Sequence, residues 1–197
     1  MMDIKAFTLE IVFLTELLGS QTTREIAKEH IAAKNGIELA EDEELSLPEE
    51  LERGTTVFYR YPGTELPAMR DYQVKGFLKN AAKELNGLSG LPKNLRSKVN
   101  GKVFVTPRWM RLELPEGGEL DYLERPLLAQ TAQGQRVAIA RSEMLPIGTK
   151  LRCSLELFPG DVTENVLREL LDYGFYYGLL QWRNAGYGKF RYTLTQE

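Results

Sequence analysis

The chain has 197 residues, 43% of them apolar and 27% charged, with a formal net charge of −3. This length and balance predict one compact folded domain over 1–197 and exclude a wholly disordered chain. One cysteine excludes an internal disulfide framework, and with one histidine beside it no structural zinc site is expected.

No apolar run reaches the ~18 residues of a membrane span. Met1 to Leu18 carries Asp3, Lys5, Glu10 and Glu16 inside its apolar stretch, unlike a secretory signal. The expectation is a cytoplasmic protein with no membrane contact and no cofactor or metal. The net charge also hides a division. Residues 38–52 hold eight acids and no Lys or Arg, and the other 20 acids face 25 Lys and Arg, a balance of +5. A basic working surface with an acidic insertion over 38–54 is one reading, and a plain solvated acidic loop is the other.

In chain order, residues 4–14 are rich in β-branched and aromatic residues with partial alternation, which predicts a strand. Gly19-Ser20 breaks the chain. Thr22 with Glu25 fits a capping box, and Gly36 is a stop, so a helix with an Ile26, Ala27, His30, Ile31 stripe is expected between them. Residues 55–60 predict a strand, and 61–67 a turn-rich loop. The clearest helix spans about 70–86, with Val74, Phe77, Leu78, Ala81, Ala82 and Leu85 on one face. Gly76 inside it is expected to admit a close neighbour.

Residues 102–106 and 109–114 predict two strands broken at Pro107, and 120–129 another. Residues 136–143 and 149–157 read as a hairpin across a Leu-Pro-Ile-Gly turn. A helix is expected over about 163–176 and a closing strand over 187–194. The expected fold is α+β: a ferredoxin-like or RNA-recognition-like antiparallel sheet with helices on one face and small insertions.

Three features could carry chemistry. The C-terminal element runs from Gly178 through Trp182, Arg183, Asn184, Gly186, Tyr187, Gly188, Lys189 and Arg191. Its glycines permit a close backbone approach and an anion nest, its cations suit phosphate, and Trp182 or Tyr187 could stack on a base. A simple turn into the last strand explains the same residues. Lys75, Lys79 and Lys83 recur every four residues behind Arg70, as a phosphate-tracking stripe or merely the wet side of a helix. Lys93, Arg96, Lys98 and Lys102 form a basic run in a segment punctuated by Gly, Pro and Asn, expected to be a mobile loop. His30 is the one candidate for histidine acid–base chemistry, against a packing role on the apolar face of its helix. Cys153 alternates with Leu151 and reads as core.

The order of these motifs suggests a family. "LPAMRDYQVKGFLKNAAKEL" early and "ENVLRELLDYGFYYGLLQWRNAGYGKF" late resemble the RAMP superfamily of CRISPR-associated RNA-binding proteins. There an "IPGSSLKGALR"-like segment leads into the first helix; here Leu66-Pro67 and Val74-Lys75-Gly76-Phe77-Leu78-Lys79 stand in its place. The family's terminal "GGKRSRGYGRF"-like loop is matched by Gln181 to Phe190, and "ARSEMLPIGTKLRCSLEL" looks like its paired strands. The likeness touches roughly residues 57–194.

The resemblance implies a non-catalytic protein that holds guide-like single-stranded RNA through phosphates and sugars. Its expected protein partners are further copies of itself or other RAMP-type subunits. Arg70, Lys75, Lys79, Lys93, Arg96, Lys98, Arg183, Lys189 and Arg191 would neutralise phosphates, Trp182 and Tyr187 would stack or wedge bases, and Gly186 and Gly188 would shape the loop. One alternative is a metal-independent, repeat-processing endoribonuclease using His30. Another is a structural or interaction protein that binds no nucleic acid.

Overall fold

Alternation in Lys5–Phe13 (β1) sets the centre of the fold. In the computed structural model Phe7, Leu9, Ile11 and Phe13 are at most 1% exposed, and Ala6, Thr8, Glu10 and Val12 turn the other way. Burying each large apolar side chain contributes about 1.5–3 kcal/mol. A one-residue slip would turn all four into solvent, so the register is strongly specified. The structure describes residues 3–22, 55–131 and 134–197, of which 127–138 as backbone alone. The helix expected after Thr22, His30 and the acidic 38–54 segment lie outside these residues.

β1 pairs antiparallel with Phe190–Gln196 (β10) on one side and Lys150–Leu157 (β9) on the other. Val103–Thr106 (β5) and Trp109–Glu113 (β6) share the far edge of β9, and Pro67–Arg70 (β4) and Tyr59–Arg60 (β3) complete the sheet. Among the described residues the α-helices are Asp71–Glu84 (α1), Leu95–Lys102 (α2), Glu164–Asp172 (α3) and Gly174–Tyr177 (α4). The spatial order is β10, β1, β9 and then β5 with β6. With α1 after β1 and α3 after β9 in sequence, this is the split βαβ, ferredoxin-like arrangement. The expected α+β fold is therefore the fold observed. Val74, Phe77, Leu78, Ala81 and Ala82 of α1 and Val166, Leu167, Leu170 and Leu171 of α3 join the inward residues of β1 and β9 in one core. Among the described residues no helix is long and apolar enough to cross a membrane.

Among the described residues the sheet's other face is partly to fully exposed. β1 and β9 present Ala6, Thr8, Glu10 and Val12 and Lys150, Arg152, Ser154 and Glu156 there, with no aromatic among them. Sheets that stack bases in the manner of an RNA-recognition motif need exposed aromatics at such positions. β1 and β9 lack that chemistry, although Phe104 of β5, opposite Glu156, is exposed on the same side.

A second, three-stranded sheet joins Leu17–Leu18 (β2), Asp121–Thr131 (β7) and Gly134–Leu145 (β8). This corrects the expected hairpin of 136–143 with 149–157. β8 pairs with β7 from Asp121↔Met144 to Thr131↔Gly134, whereas β9 has both edges taken by β1 and by β5 and β6. The Leu-Pro-Ile-Gly connection is held by β1 itself: Gly148 N donates to Phe13 O at 2.9 Å, and Phe13 N to Thr149 O at 2.9 Å.

Other expectations shift for local reasons. The expected loop over 93–102 is α2 from Leu95, because Leu95 and Val99 bury an i, i+4 pair in the core. Pro67 to Arg70, expected as loop and helix start, forms β4 by pairing with Tyr59–Arg60 and with β6. Of 55–60 only Tyr59–Arg60 joins a ladder, Thr56 and Val57 making isolated bridges. The helix over 163–176 divides at Tyr173, and the last strand begins at Phe190. Cys153 is 3% exposed, and burial pushes its thiol up to about 12, so it is inert core.

One buried carboxylate ties the two sheets together. Glu143 on β8 is 3% exposed; it accepts from Phe58 N at 2.7 Å and from both terminal nitrogens of Arg60. Its side chain also holds the Arg60 guanidinium above the usual arginine range. Glu143→Ala would leave the Phe58 amide unpaired and the Arg60 guanidinium with only Phe58 O and the distant Glu65 among the described residues. Because Arg60 is 34% exposed, the loss is put at about 2–4 kcal/mol, below the full cost of breaking a buried pair. Chemical denaturation of Glu143→Ala and Glu143→Gln checks this, with Gln retaining the acceptor for Phe58 N and losing less.

Candidate nucleic-acid interface

The glycine-rich loop leaves α4 at Gly178 and folds back on itself. Leu179 N donates to Gly188 O at 2.8 Å, Gly188 N to Glu16 O at 2.9 Å, and Lys189 N to Thr15 Oγ1 at 3.0 Å. Inside the loop Arg183–Ala185 forms one 3-10 turn, with Ala185 N donating to Trp182 O and Gly186 N to Arg183 O. Five N–H groups that an anion nest would use thus face protein acceptors, which removes the expected run of free donors. Gly188 has φ 72°, and a Cβ there would lie 2.0 Å from Leu179 O. Gly186, at φ 95°, ends the 3-10 turn.

Trp182 and Tyr187 stack on each other at 5.2 Å and 11°, and the Arg125 guanidinium covers Trp182 at 4.2 Å. The two aromatics expected to hold bases form a column with each other. Arg125, 8% exposed, has its pKa lowered by burial. With its carboxamide oriented to satisfy its neighbours, Gln181 donates to Gly19 O at 2.5 Å and accepts from Arg125 Nη2 at 3.2 Å. Among the described residues Arg125 Nε and Nη1 have no partner.

Beside the loop lies a groove of about 520 Å³. α1 supplies Tyr72, Gly76, Lys79 and Asn80, α2 supplies Arg96, and Tyr177 and Arg183 close the side toward the loop. The described residues that line it include three cations and no acid, so their field is locally uncompensated. Arg183 sits 4.5 Å over the Tyr177 ring, and Asn80 Nδ2 donates to Tyr177 Oη at 2.9 Å. Past Arg96 the groove passes into a hollow of about 370 Å³ lined by Lys83, Asn86, Asn94 and Ser97. A larger hollow of about 600 Å³ lies between α3, α4 and β10. It includes Asp172, whose carboxylate accepts from Tyr192 Oη at 3.0 Å, and apolar Leu171 and Phe175, a lining less suited to a polyanion.

The sequence-derived cations do not form one surface. Lys79, Arg96 and Arg183 meet in the groove, with Lys83 in the adjoining hollow. Lys75 points away to α2, where Nζ donates to Val99 O at 2.8 Å, to Asn100 O at 3.0 Å and to Val103 O. Helix geometry explains the split. A four-residue step advances about 40° beyond a full turn. Lys75 and Lys83 therefore differ by about 80°, and the three lysines fan out. Lys98 pairs with Asp161, whose carboxyl it holds below the usual range. Lys93 is exposed ahead of α2, and Lys189 is half-buried at the start of β10. Arg191 lies beside the separate 600 Å³ hollow.

Arg70 stands in an aromatic cage at the start of α1, 4.1 Å from the Trp109 ring and 5.8 and 6.0 Å from those of Tyr59 and Tyr72. The Tyr59 and Tyr72 hydroxyls meet at 2.6 Å, and burial together with that contact pushes Tyr72 up to about 12.

Tyr72, Gly76, Asn80 and Tyr177 escaped the sequence reading as site residues. A signal existed: positions 72, 76, 79, 80 and 83 share one helix stripe by i, i+4, i+7, i+8, i+11 spacing. Gly76 was expected to admit a close neighbour; among the described residues none lies within 4 Å of its Cβ position.

Lys75 and Lys79 should separate in experiment. Lys75→Ala should cost about 1–2 kcal/mol of stability through lost carbonyl contacts and leave RNA affinity nearly unchanged, and Lys79→Ala should do the reverse. Burial, then Lys79, lowers Lys75 to about 8. The unfolded lysine keeps its proton to about 10.4. Between these values the unfolded chain binds more protons, so this group's contribution to stability rises with pH across the window. Melting scans from pH 7 to 10 should show that rise flattened in Lys75→Met.

No protein-family model matches the chain, and no curated protein matches it. Its fold is similar to that of a chain in the cryo-EM structure of the Type III-B Cmr-beta bound to cognate target RNA. The TM-score is 0.57 with 11% sequence identity, over 98% of this chain and 61% of that one. This chain therefore spans about three fifths of the length of that neighbour. A chain of a Type IV-B CRISPR complex aligns with TM-score 0.44 and 14% identity, over 96% of this chain and 90% of that one. The fold that the RAMP resemblance implies is the fold shared with the first of these neighbours.

Proposed function

We propose that this protein binds single-stranded RNA without cleaving it, as a subunit of a CRISPR-type ribonucleoprotein. The RNA backbone follows the groove between α1, α2 and the glycine-rich loop. The observation that carries this reading is the convergence of Lys79, Arg96 and Arg183, from three separate elements, on one groove whose described lining has no acid. Cations gathered from distant parts of the chain at one concave site repel each other, and a polyanion relieves that repulsion. The fold neighbour found in an RNA-bound Type III-B complex supports the same ligand class. Guide-like RNA and neighbouring subunits, further copies or other RAMP-type proteins, are its proposed partners. Arg70, Lys93 and Arg191 lie apart from the groove and serve as flanking contacts in an assembly.

Ultraviolet cross-linking to single-stranded RNA, followed by peptide mapping, tests the location. Cross-links are expected at Tyr72, Tyr177 and the peptides around Lys79 and Arg96. Cross-links confined to the open face of β1 and β9 would overturn the proposed path.

A further inference from the structure

Resting on that reading, we infer that the groove takes one unstacked nucleobase of the bound strand over Gly76, while Lys79, Arg96 and Arg183 hold the flanking phosphates. The cavity is larger than phosphate contact requires. About 520 Å³ falls in the range of sites that enclose whole small molecules.

Gly76 gives the cavity its floor. It sits in the middle of α1, where glycine costs about 1 kcal/mol relative to alanine. No described residue makes a packing demand on it, because none lies within 4 Å of a Cβ built there. What the missing side chain leaves is a bare turn of helix, open to a flat ligand.

The walls suit a base rather than a bare phosphate. Tyr72, 49% exposed, supplies the aromatic wall, and Tyr177, its ring already stacked on Tyr173 and covered by Arg183, closes the opposite side. Asn80 is fixed by its Nδ2 bond to Tyr177 Oη, and no described residue bonds its Oδ1. That oxygen is an acceptor beside cationic donors, and a mixed donor and acceptor set is what a base edge pairs with. The Trp182 and Tyr187 rings are already stacked on each other, so the loop's own aromatics offer a base no gap between them.

A four-way titration separates this inference from RNA binding itself. The probes are a short single-stranded RNA and the same ribose-phosphate chain without bases. The proteins are the wild type and Gly76→Leu, whose side chain would fill the floor without leaving the helix. Gly76→Leu should weaken binding of intact RNA about tenfold or more, the scale of one lost stacked base, and binding of the abasic chain less than twofold. Equal weakening of both probes, or none of either, would overturn the inference while RNA binding by the wild type keeps the parent reading standing. Failure of the wild type to bind either probe at low salt would overturn both. Thermal melting of Gly76→Leu, expected at or above the wild-type temperature because leucine favours helix over glycine, shows that the fold is intact.

Discussion

Replacing Lys79, Arg96 and Arg183 together by alanine should weaken single-stranded RNA binding about a hundredfold. Each is a partly exposed cation on a groove whose described lining holds no acid, so its phosphate contact is put at roughly 1 kcal/mol, below the value for buried charged hydrogen bonds. Three such contacts amount to about two decades in affinity. The salt dependence should fall with them. Each phosphate neutralised on a single strand contributes about 0.7 to the slope of log K against log salt, so the triple variant's slope should shrink by about 2. Titrations at several salt concentrations read both quantities. The melting temperature should hardly move, because no ion pair in the described structure involves these three residues. A control with Lys98 and Lys75 replaced should behave in the opposite way, since those amines serve Asp161 and the α2 carbonyls.

The largest effect on stability is expected at Gly188. An added Cβ would lie 2.0 Å from Leu179 O and 3.0 Å from Leu179 C and N. These are backbone atoms, held by the Leu179 N to Gly188 O bond, and they have no rotamer to yield. The residue also sits at φ 72°, where a side chain costs about 1–2 kcal/mol. With the overpacking added, Gly188→Ala should lose about 3 kcal/mol or more. For a chain of this size that is a fall of roughly 6–12 °C in Tm. Gly76→Ala should do the opposite and raise stability by about 1 kcal/mol, because it is helical and its Cβ meets no described residue. Melting curves of the two variants side by side test both assignments.

The elements that sequence revealed are those whose side chains report their own environment. β1 alternates cleanly, α1 carries a complete apolar stripe, and Thr163 caps α3, so each was legible from local pattern. Strand partners were not. The Leu-Pro-Ile-Gly turn looks like a hairpin, but pairing depends on which edges are free, and β9 had none left for β8. α2 was hidden because Pro92, Asn94 and Gly101 punctuate it, and its tertiary anchors Leu95 and Val99 override that local preference. At the site, sequence found the cations but not their grouping. Lys75 and Lys79 look equivalent along the chain, and a 40° advance per step sends one to α2 and the other to the groove. Trp182 and Tyr187 read as free stacking residues because Arg125, their cover, lies 57 residues before Trp182 in the chain.

The most direct test is a titration of purified, nuclease-treated protein with fluorescent single-stranded RNA at low and moderate salt. The expected result is saturable binding that weakens as salt rises, with a log–log slope of at least about −2 for three phosphate contacts. Absence of binding at low salt, or binding indifferent to salt, would contradict the assignment of the groove to an RNA backbone.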